Sequence, residues 1–332
     1  MPADNLILRT IDRVFAETES PAWVEAYARS GPFPMQLNFA SAALVQAFLP
    51  AFVRSEPRPA QLRIAFATAA QLDLGEIIPH PRDAYRVMVD ESCFAVWQPG
   101  PRPVLSALDR RSCRAVVWLP TGEAPHWVRS RPALSLINAF SIDTPWTALH
   151  AGAVGRAGRF ILLAGRGHSG KTSAALACAL AGWDYAGDDF VFAHTLAGEV
   201  APLYSSARLR MDMVSAFGAL LEAGAEVSED DGERRHELRL AENLRDRVRG
   251  GSIAAIFVLR RCGARAPEFA PARRSDAFAA LMAITTIGLP GWPKIVAEKI
   301  AAVADLAPVS FVDTGADAHA IPEAFAAKLD NL

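Results

Sequence analysis

Residues 165–172, with the sequence GRGHSGKT, have the composition and spacing of a loop that binds phosphate. They fit the pattern G-x-x-x-x-G-K-[ST] in full, and they stand between an apolar run and a segment of helical pattern. The glycines would let successive backbone N–H groups and the helix N-terminus face a phosphate. Lys171 can reach the β- and γ-phosphates, and the Thr172 hydroxyl can bind Mg²⁺. The loop alone does not distinguish a motor, a switch, a transporter subunit or a kinase.

Two adjacent aspartates follow this loop. Asp188 and Asp189 lie 16 and 17 residues after Thr172, in a segment that predicts a strand. Adjacent side chains of an extended chain point to opposite sides, so the two carboxylates are suited to different tasks. In phosphoryl transfer, one carboxylate can hold Mg²⁺ while another orients or deprotonates the attacking hydroxyl. The alternative is a solvated turn with two acidic residues.

A histidine precedes the loop. His150 lies 15 residues before Gly165. If residues 154–159 form a hairpin-like turn, His150 is expected on the strand beside the strand that leads into the loop. Its imidazole would then come near phosphate or metal, although a histidine packed in the core is the alternative.

The segment before the aspartates argues against a conventional NTPase motor. Such a protein needs one aspartate at the end of an apolar strand, whereas residues 183–187, with the sequence WDYAG, are a poor match for a buried strand. The sequence also has no recognisable signature of an arginine that would act in the active site of a neighbouring molecule.

Both strands and helices are predicted around these residues, which indicates an α/β core. The predicted strands are residues 148–154, 158–165, 185–193, 252–261 and 309–315. The predicted helices are residues 169–183, ending at Gly182, then 275–288 and 293–307. Residues 228–237, with the sequence SEDDGERRHE, are expected to be an exposed loop.

The first part of the chain has a different pattern. Short runs rich in Val, Ile, Phe and Trp, separated by turn residues, predict a meandering antiparallel sheet. These runs are residues 61–69, 85–90, 93–104 and 114–122. A helix is predicted at residues 133–142. We therefore expect a β-rich N-terminal domain over residues 1–140 and a catalytic domain over residues 141–332.

Composition narrows the choice of partners. With 34 basic and 36 acidic residues the net charge is −2, so neither a nucleic acid nor a membrane is an expected partner. The N-terminal residues lack the pattern of a signal peptide and no apolar run reaches membrane-spanning length, so a cytoplasmic protein is expected. Cys93, Cys113, Cys178 and Cys262 have no metal-site or disulfide spacing.

The order of the segments resembles the HPr kinase/phosphorylase-related family, whose kinase core is similar to phosphoenolpyruvate carboxykinase. The likeness rests on LHAGAV at residues 149–154, the phosphate loop, an Ala-rich helix ending in Gly-Trp, and GDD at residues 187–189. It covers roughly residues 135–315. It implies a P-loop kinase core with a mixed β-sheet and flanking helices. The β-rich domain before this core has no such likeness, and its two expected roles are to recognise the acceptor or to brace the core.

The resemblance also implies a role for each matching residue. Lys171 would contact the transferred phosphate, Thr172 would hold Mg²⁺, and His150 would lie beside phosphate or metal. Asp188 is expected to be the base that activates the acceptor hydroxyl, and Asp189 the metal ligand. ATP is expected to contact the loop, the residue directly after it and two later arginines: Gly165, Arg166, Gly167, His168, Ser169, Gly170, Lys171, Thr172, Ser173, Arg208 and Arg210. The alternative for the two arginines is that they are ordinary surface residues.

The departures from the family pattern concern the acceptor. True HPr kinase/phosphorylases carry Ser and then Glu after the loop lysine, whereas this chain has Thr172 and Ser173. The better match is to divergent HPr kinase-like proteins, some of which resemble serine kinases for precursor peptides of lasso-peptide type. The implied function is an ATP- and Mg²⁺-dependent kinase for a Ser or Thr hydroxyl of a protein or peptide, and the resemblance allows a homo-oligomer. The alternatives are a kinase for a small hydroxyl-bearing metabolite and a non-catalytic regulator that senses nucleotide.

Overall fold

The computed structural model describes residues 3–71, 86–99, 101–213, 217, 226–230, 233–240, 244–288 and 290–332. The chain is mixed α/β and divides into two compact units. One is Met1–Asp143 with Leu289–Gly291, and the other is Thr144–Gly288 with Trp292–Leu332. The boundary expected after residue 140 falls within the helix Leu134–Ser141, close to the end of the first unit.

An eight-stranded sheet forms the first unit, in the order β3-β1-β2-β4-β8-β7-β6-β5. Its strands are β1 Val24–Ser30, β2 Phe33–Phe39, β3 Val53–Arg54, β4 Leu62–Thr68, β5 Arg86–Val89, β6 Cys93–Gln98, β7 Val104–Asp109 and β8 Arg114–Leu119. Its helices are α1 Ala3–Glu17, α2 Ala42–Phe48, α3 His126–Ser130 and α4 Leu134–Ser141. The strands predicted at residues 61–69, 85–90, 93–104 and 114–122 correspond to β4, β5, β6 and β8, although β6 ends at Gln98, and the helix at residues 133–142 is confirmed. The other elements of this unit were not predicted: α1, α2, α3, β1, β2, β3 and β7.

The expectation of an antiparallel meander is wrong for the middle of this sheet. β2 pairs with β4, and β4 with β8, in parallel. Parallel neighbours need a crossover connection, and α2 supplies it between β2 and β4. Helix α1 packs against β4, β6, β7 and β8. Its buried residues Ile7, Ile11, Val14 and Phe15 have the spacing of one helix face.

The second unit is built on a nine-stranded mixed sheet and a three-stranded sheet. Its strands are β9 Trp146–Leu149, β10 Gly152–Arg156, β11 Arg159–Ala164, β12 Asp184–Gly187, β13 Val191–His194, β14 Glu199–Pro202, β15 Ser206–Arg210, β16 Glu226–Asp230, β17 Glu233–Arg239, β18 Gly251–Arg260, β19 Glu268–Pro271 and β20 Val309–Asp313. The flanking helices are α5 Lys171–Leu180, α6 Arg274–Gly288, α7 Pro293–Ala304 and α8 Ile321–Asp330.

Three neighbouring strands of the large sheet run parallel. β18 lies between β11 and β20 and pairs in parallel with both. The carboxyl ends of the three strands therefore meet at one edge of the sheet, which is where ligands bind in open α/β sheets. The phosphate loop follows β11 at that edge.

Two segments that were each predicted as one strand are in fact broken in two. Residues 148–154 divide between β9 and β10, and residues 185–193 divide between β12 and β13. β9 pairs with β13 and β10 with β12, so the two breaks lie opposite each other. His150 lies in the first break, before the strand that pairs with β11, and not on that strand as expected.

Close backbone contact explains why the breaks occur at these positions. A Cβ atom on Gly152 would lie 3.2 Å from the Gly187 carbonyl oxygen and 3.3 Å from the Asp188 Cα atom. A Cβ atom on Gly187 would lie 2.7 Å from Val191 Cγ1. Glycine at both positions lets the neighbouring atoms approach the backbone closely on either side of Asp188.

Two further expectations need correction. Residues 228–230 and 233–237 lie in strands rather than in a loop: β16 pairs with β17, and β17 pairs with β15, so the ladders give their backbone groups hydrogen-bond partners. Residues 184–187, judged a poor buried strand, form β12, and all four are buried. The remaining predicted helices, and the strands at residues 158–165, 252–261 and 309–315, are confirmed with shifted ends. None of the helices in the described residues has the length and apolarity needed to span a bilayer.

Candidate active site

The phosphate loop joins the end of β11 to the start of α5. Gly165 has φ +150° and Gly170 has φ +100°, both in the region that favours glycine. A Cβ atom on Gly165 would lie 2.6 Å from the Ser169 hydroxyl oxygen and 2.9 Å from the Leu259 carbonyl oxygen. The Ser169 N–H closes the turn by donating to the Arg166 carbonyl oxygen at 3.2 Å. These two glycines are therefore required by the shape of the loop.

Lys171 is the first residue of α5, and its side chain turns back under the loop. It is only 7% exposed, and its Nζ atom donates to the carbonyl oxygens of Gly165 at 2.9 Å and Arg166 at 3.2 Å. Burial lowers the pKa of Lys171, against the opposing effect of the Asp189 and Asp188 carboxylates. The ammonium group is thus held within the loop that would surround a phosphate.

Asp188 is the more buried of the two aspartates, with 4% of its surface exposed. Its carboxylate accepts a hydrogen bond from the Tyr185 hydroxyl at 2.8 Å and another from Thr172. Burial and the neighbouring Asp189 charge raise the pKa of Asp188 to about 6, although the Thr172 and Tyr185 hydrogen bonds oppose the rise. The site therefore holds one carboxylate that is costly to ionise.

Asp189 pairs with the histidine. Its Oδ1 atom lies 2.8 Å from His150 Nε2, and its side chain is 34% exposed. The imidazole packs edge-on against Phe190, with ring centroids 5.1 Å apart, and the backbone N–H of His150 donates to the Thr285 hydroxyl at 3.0 Å. The His150 Nδ1 atom is buried and has no hydrogen-bond partner within the described part of the chain. The ring is thus fixed by packing and by Asp189.

One cavity brings most of the predicted site residues together. It is lined by His150, Gly167, His168, Gly170, Lys171, Thr172, Ser173, Asp188, Asp189, Arg208, Leu209, Arg210, Met213 and Arg261. Arg210 Nη1 lies 3.1 Å from His168 Nδ1, so β15 reaches the phosphate loop at this point. The other predicted residues, Gly165, Arg166 and Ser169, do not line this cavity but line a second one.

Sequence reasoning missed two polar residues of the site. Arg261 lines the cavity directly after β18, and Tyr185 holds the Asp188 carboxylate from β12. A residue directly after a parallel strand beside the phosphate-loop strand is a candidate by position alone, so Arg261 could have been found. Tyr185 could not, because its role depends on the break after β12.

Asp313 fixes the backbone that follows Arg261. Its carboxylate accepts N–H bonds from Cys262 at 2.7 Å, Ala264 at 3.3 Å and Gly315 at 3.1 Å. Burial opposes its ionisation, but the backbone donors together lower the pKa of Asp313. A charged carboxylate at the end of β20 thus holds the turn after β18 in place.

The donor atoms near Thr172 fit a hard cation. Mg²⁺ takes oxygen ligands and is usually bound by one or two carboxylates together with phosphate and water. A hydroxyl and two carboxylates line the cavity, at Thr172, Asp188 and Asp189. Within the described residues there is no group of three or more His, Cys, Asp or Glu side chains placed to hold a metal. Any Mg²⁺ at this place would therefore take part of its coordination from phosphate or water oxygens.

Comparison of the sequence with known proteins gives no match to a family model and none to a curated protein.

Proposed function

We propose that this protein is an ATP- and Mg²⁺-dependent kinase, of HPr kinase-like architecture, that transfers the γ-phosphoryl group to a Ser or Thr hydroxyl of a protein or peptide. One observation carries the proposal: the phosphate loop, an aspartate pair and a histidine, far apart in sequence, line a single cavity. Phosphoryl transfer requires positioning and neutralisation of charge more than covalent chemistry, and these groups can supply both.

The phosphates would lie against the loop and the N-terminus of α5. Lys171 would exchange its two loop carbonyls for phosphate oxygens, which are charged and therefore stronger acceptors. Arg208, Arg210 and Arg261 add three cations around the same cavity. Guanidinium groups match phosphate geometry, so they would stabilise the charge that develops on the transferred group.

The contacts favour Asp188 as the carboxylate on the metal side. It is hydrogen-bonded to Thr172, whose hydroxyl is the expected Mg²⁺ ligand, and it is buried behind that residue. When bound, Mg²⁺ would neutralise the β- and γ-phosphate oxygens. Thr172 and Asp188 are the residues that would hold it. The family resemblance implies the reverse division of roles, with Asp189 on the metal.

Asp189 is then the better candidate for the base. It is the more exposed of the pair, and its contact with His150 orients it. The proton of the acceptor hydroxyl would pass to the Asp189 carboxylate as the hydroxyl oxygen bonds to the γ-phosphorus. The bond between that phosphorus and the bridging oxygen breaks, and ADP leaves with the electron pair. His150 would hold the carboxylate in position during this step.

The proposal is tested by measuring ATP consumption under three conditions. Purified protein is incubated with Mg²⁺-ATP alone, with a degenerate peptide library containing Ser and Thr, and with a set of hydroxyl-bearing metabolites. Consumption that depends on peptide supports the proposal. Consumption that depends only on a metabolite, or tight ATP binding without consumption, would replace it with a metabolite kinase or a nucleotide-sensing regulator.

A further inference from the structure

A second cavity lies beside the phosphate loop. Its volume is about 480 Å³, within the range of small-molecule sites. It is lined by the loop, the end of β18, the first half of α6 and one residue of β20: Gly165, Arg166, Gly167, His168, Ser169, Val258, Leu259, Arg260, Arg261, Asp276, Ala279, Ala280, Ala283 and Phe311. The roles proposed above for the active site leave this cavity unused.

The two cavities share part of their walls. Gly167, His168 and Arg261 line both of them. The tip of the phosphate loop therefore separates two adjacent spaces, both at the carboxyl edge of β11 and β18. A ligand whose charged end lies in the first cavity can extend past the loop tip into the second.

Apart from the basic side chains of Arg166, His168 and Arg261, the lining of the second cavity suits an uncharged flat group better than phosphate. One wall consists of Ala279, Ala280 and Ala283, whose small side chains leave an open apolar surface on α6. The guanidinium of Arg260 lies 4.4 Å from the ring centroid of Phe311, so its charge is directed at an aromatic face. Asp276 is the one acidic residue that lines this cavity within the described residues, and it would repel a phosphate.

We propose that the second cavity binds the nucleoside part of the nucleotide. The inference rests on the proposed function, since it takes a nucleoside triphosphate as the ligand of the first cavity. The phosphates lie on the Lys171 side of the loop tip. The base and ribose lie on the α6 side, against the alanine surface.

The test fills the cavity without touching the phosphate site. Ala283 is exposed on α6, so the variant Ala283→Trp places an indole in the cavity without disturbing the core. Ala301→Trp is the matched control, because Ala301 is an exposed helical alanine of α7 that does not line the cavity. Dissociation constants are measured by calorimetry for Mg²⁺-ATP and for Mg²⁺-tripolyphosphate, which has the phosphates but no nucleoside. Melting temperatures check that both variants fold.

We expect Ala283→Trp to weaken ATP binding by about tenfold or more and to leave tripolyphosphate binding within about twofold of the wild type. The control should bind both ligands like the wild type. Unchanged ATP binding, an equal loss for both ligands, or a raised KM for peptide at unchanged ATP affinity would each overturn the inference. If the wild-type protein binds tripolyphosphate, and binds ATP no more tightly than tripolyphosphate, the nucleoside site alone fails. If it binds neither ligand, the proposed function itself fails.

Discussion

Replacing Asp188 by asparagine should make the protein more stable at neutral pH while it abolishes the proposed activity. Burial and the Asp189 charge raise the pKa of Asp188 from an ordinary value near 3.8 to about 6. Each pKa unit corresponds to about 1.4 kcal/mol, so ionised Asp188 costs the folded state on the order of 3 kcal/mol. An amide at this position can keep hydrogen bonds to Tyr185 and Thr172 without carrying the charge.

The sign of the pH dependence follows from proton binding. The folded protein binds the Asp188 proton below about pH 6, whereas the unfolded chain binds it only below about pH 4. Between these values the folded state holds more protons, so its stability falls as the pH rises through this window. The advantage of Asp188→Asn should therefore be small near pH 4, increase up to about pH 6, and stay constant above it.

The assay is thermal melting in EDTA, without nucleotide, at several pH values between 5 and 8. For a unit of 150–250 residues, 1 kcal/mol moves the midpoint by roughly 2–4 °C, so Asp188→Asn should melt up to about 10 °C higher at pH 7.5. The control is Asp184→Asn, which removes a buried carboxylate paired with Arg249 at 2.8 Å and should not stabilise the protein. A variant that melts at or below the wild-type temperature at pH 7.5, or a difference that does not vary with pH, would refute the reasoning.

Three further predictions concern the two carboxylates, the histidine and the loop. Asp189→Asn should lower kcat by about 10²–10⁴-fold with ATP affinity nearly unchanged, whereas Asp188→Asn should weaken Mg²⁺-dependent ATP binding. Steady-state kinetics and calorimetry measure the two effects. The opposite pattern would make Asp188 the base. His150→Phe should lower kcat less than Asp189→Asn does, because His150 is proposed to act by holding the Asp189 carboxylate. The double variant should then be no slower than Asp189→Asn alone. Additive losses in a double-mutant cycle would mean that His150 acts independently. Gly165→Ala should cost about 1–3 kcal/mol of unfolding free energy, because Gly165 has a φ of +150° and an added Cβ atom would contact Leu259. The control Gly167→Ala, with open space around it, should cost less than about 0.5 kcal/mol. Equal melting temperatures for the two variants would contradict this.

Local pattern was enough to predict the phosphate loop and its helix. The loop motif, the apolar run before it and Gly182 after the helix all lie within a few residues of one another, and they specify β11 and α5 directly. The same holds for β18, α6 and α7, whose apolar spacing is clear in the sequence. These elements are determined by neighbouring residues.

The relation between His150 and Asp189 could not be predicted, because it depends on pairing between distant strands. A hairpin between β10 and β11 was expected and is present, but His150 precedes that hairpin and belongs to a break opposite the aspartates. The break requires Gly187, which reads in the sequence as a sign against a strand. The parallel pairs in the first sheet were missed for the same reason, since strand order is not encoded in any single strand.

If the cavity transfers a phosphoryl group from ATP to a hydroxyl, the γ-phosphorus must be found on the acceptor. The wild-type protein and Asp189→Asn are incubated with [γ-³²P]ATP, Mg²⁺ and the Ser/Thr peptide library at ATP concentrations that saturate both. Labelled peptide is then hydrolysed for phosphoamino acid analysis. The account predicts label in phosphoserine or phosphothreonine for the wild type and at most about 1% of that rate for the variant. Label found only in inorganic phosphate, or equal labelling by both proteins, would contradict it.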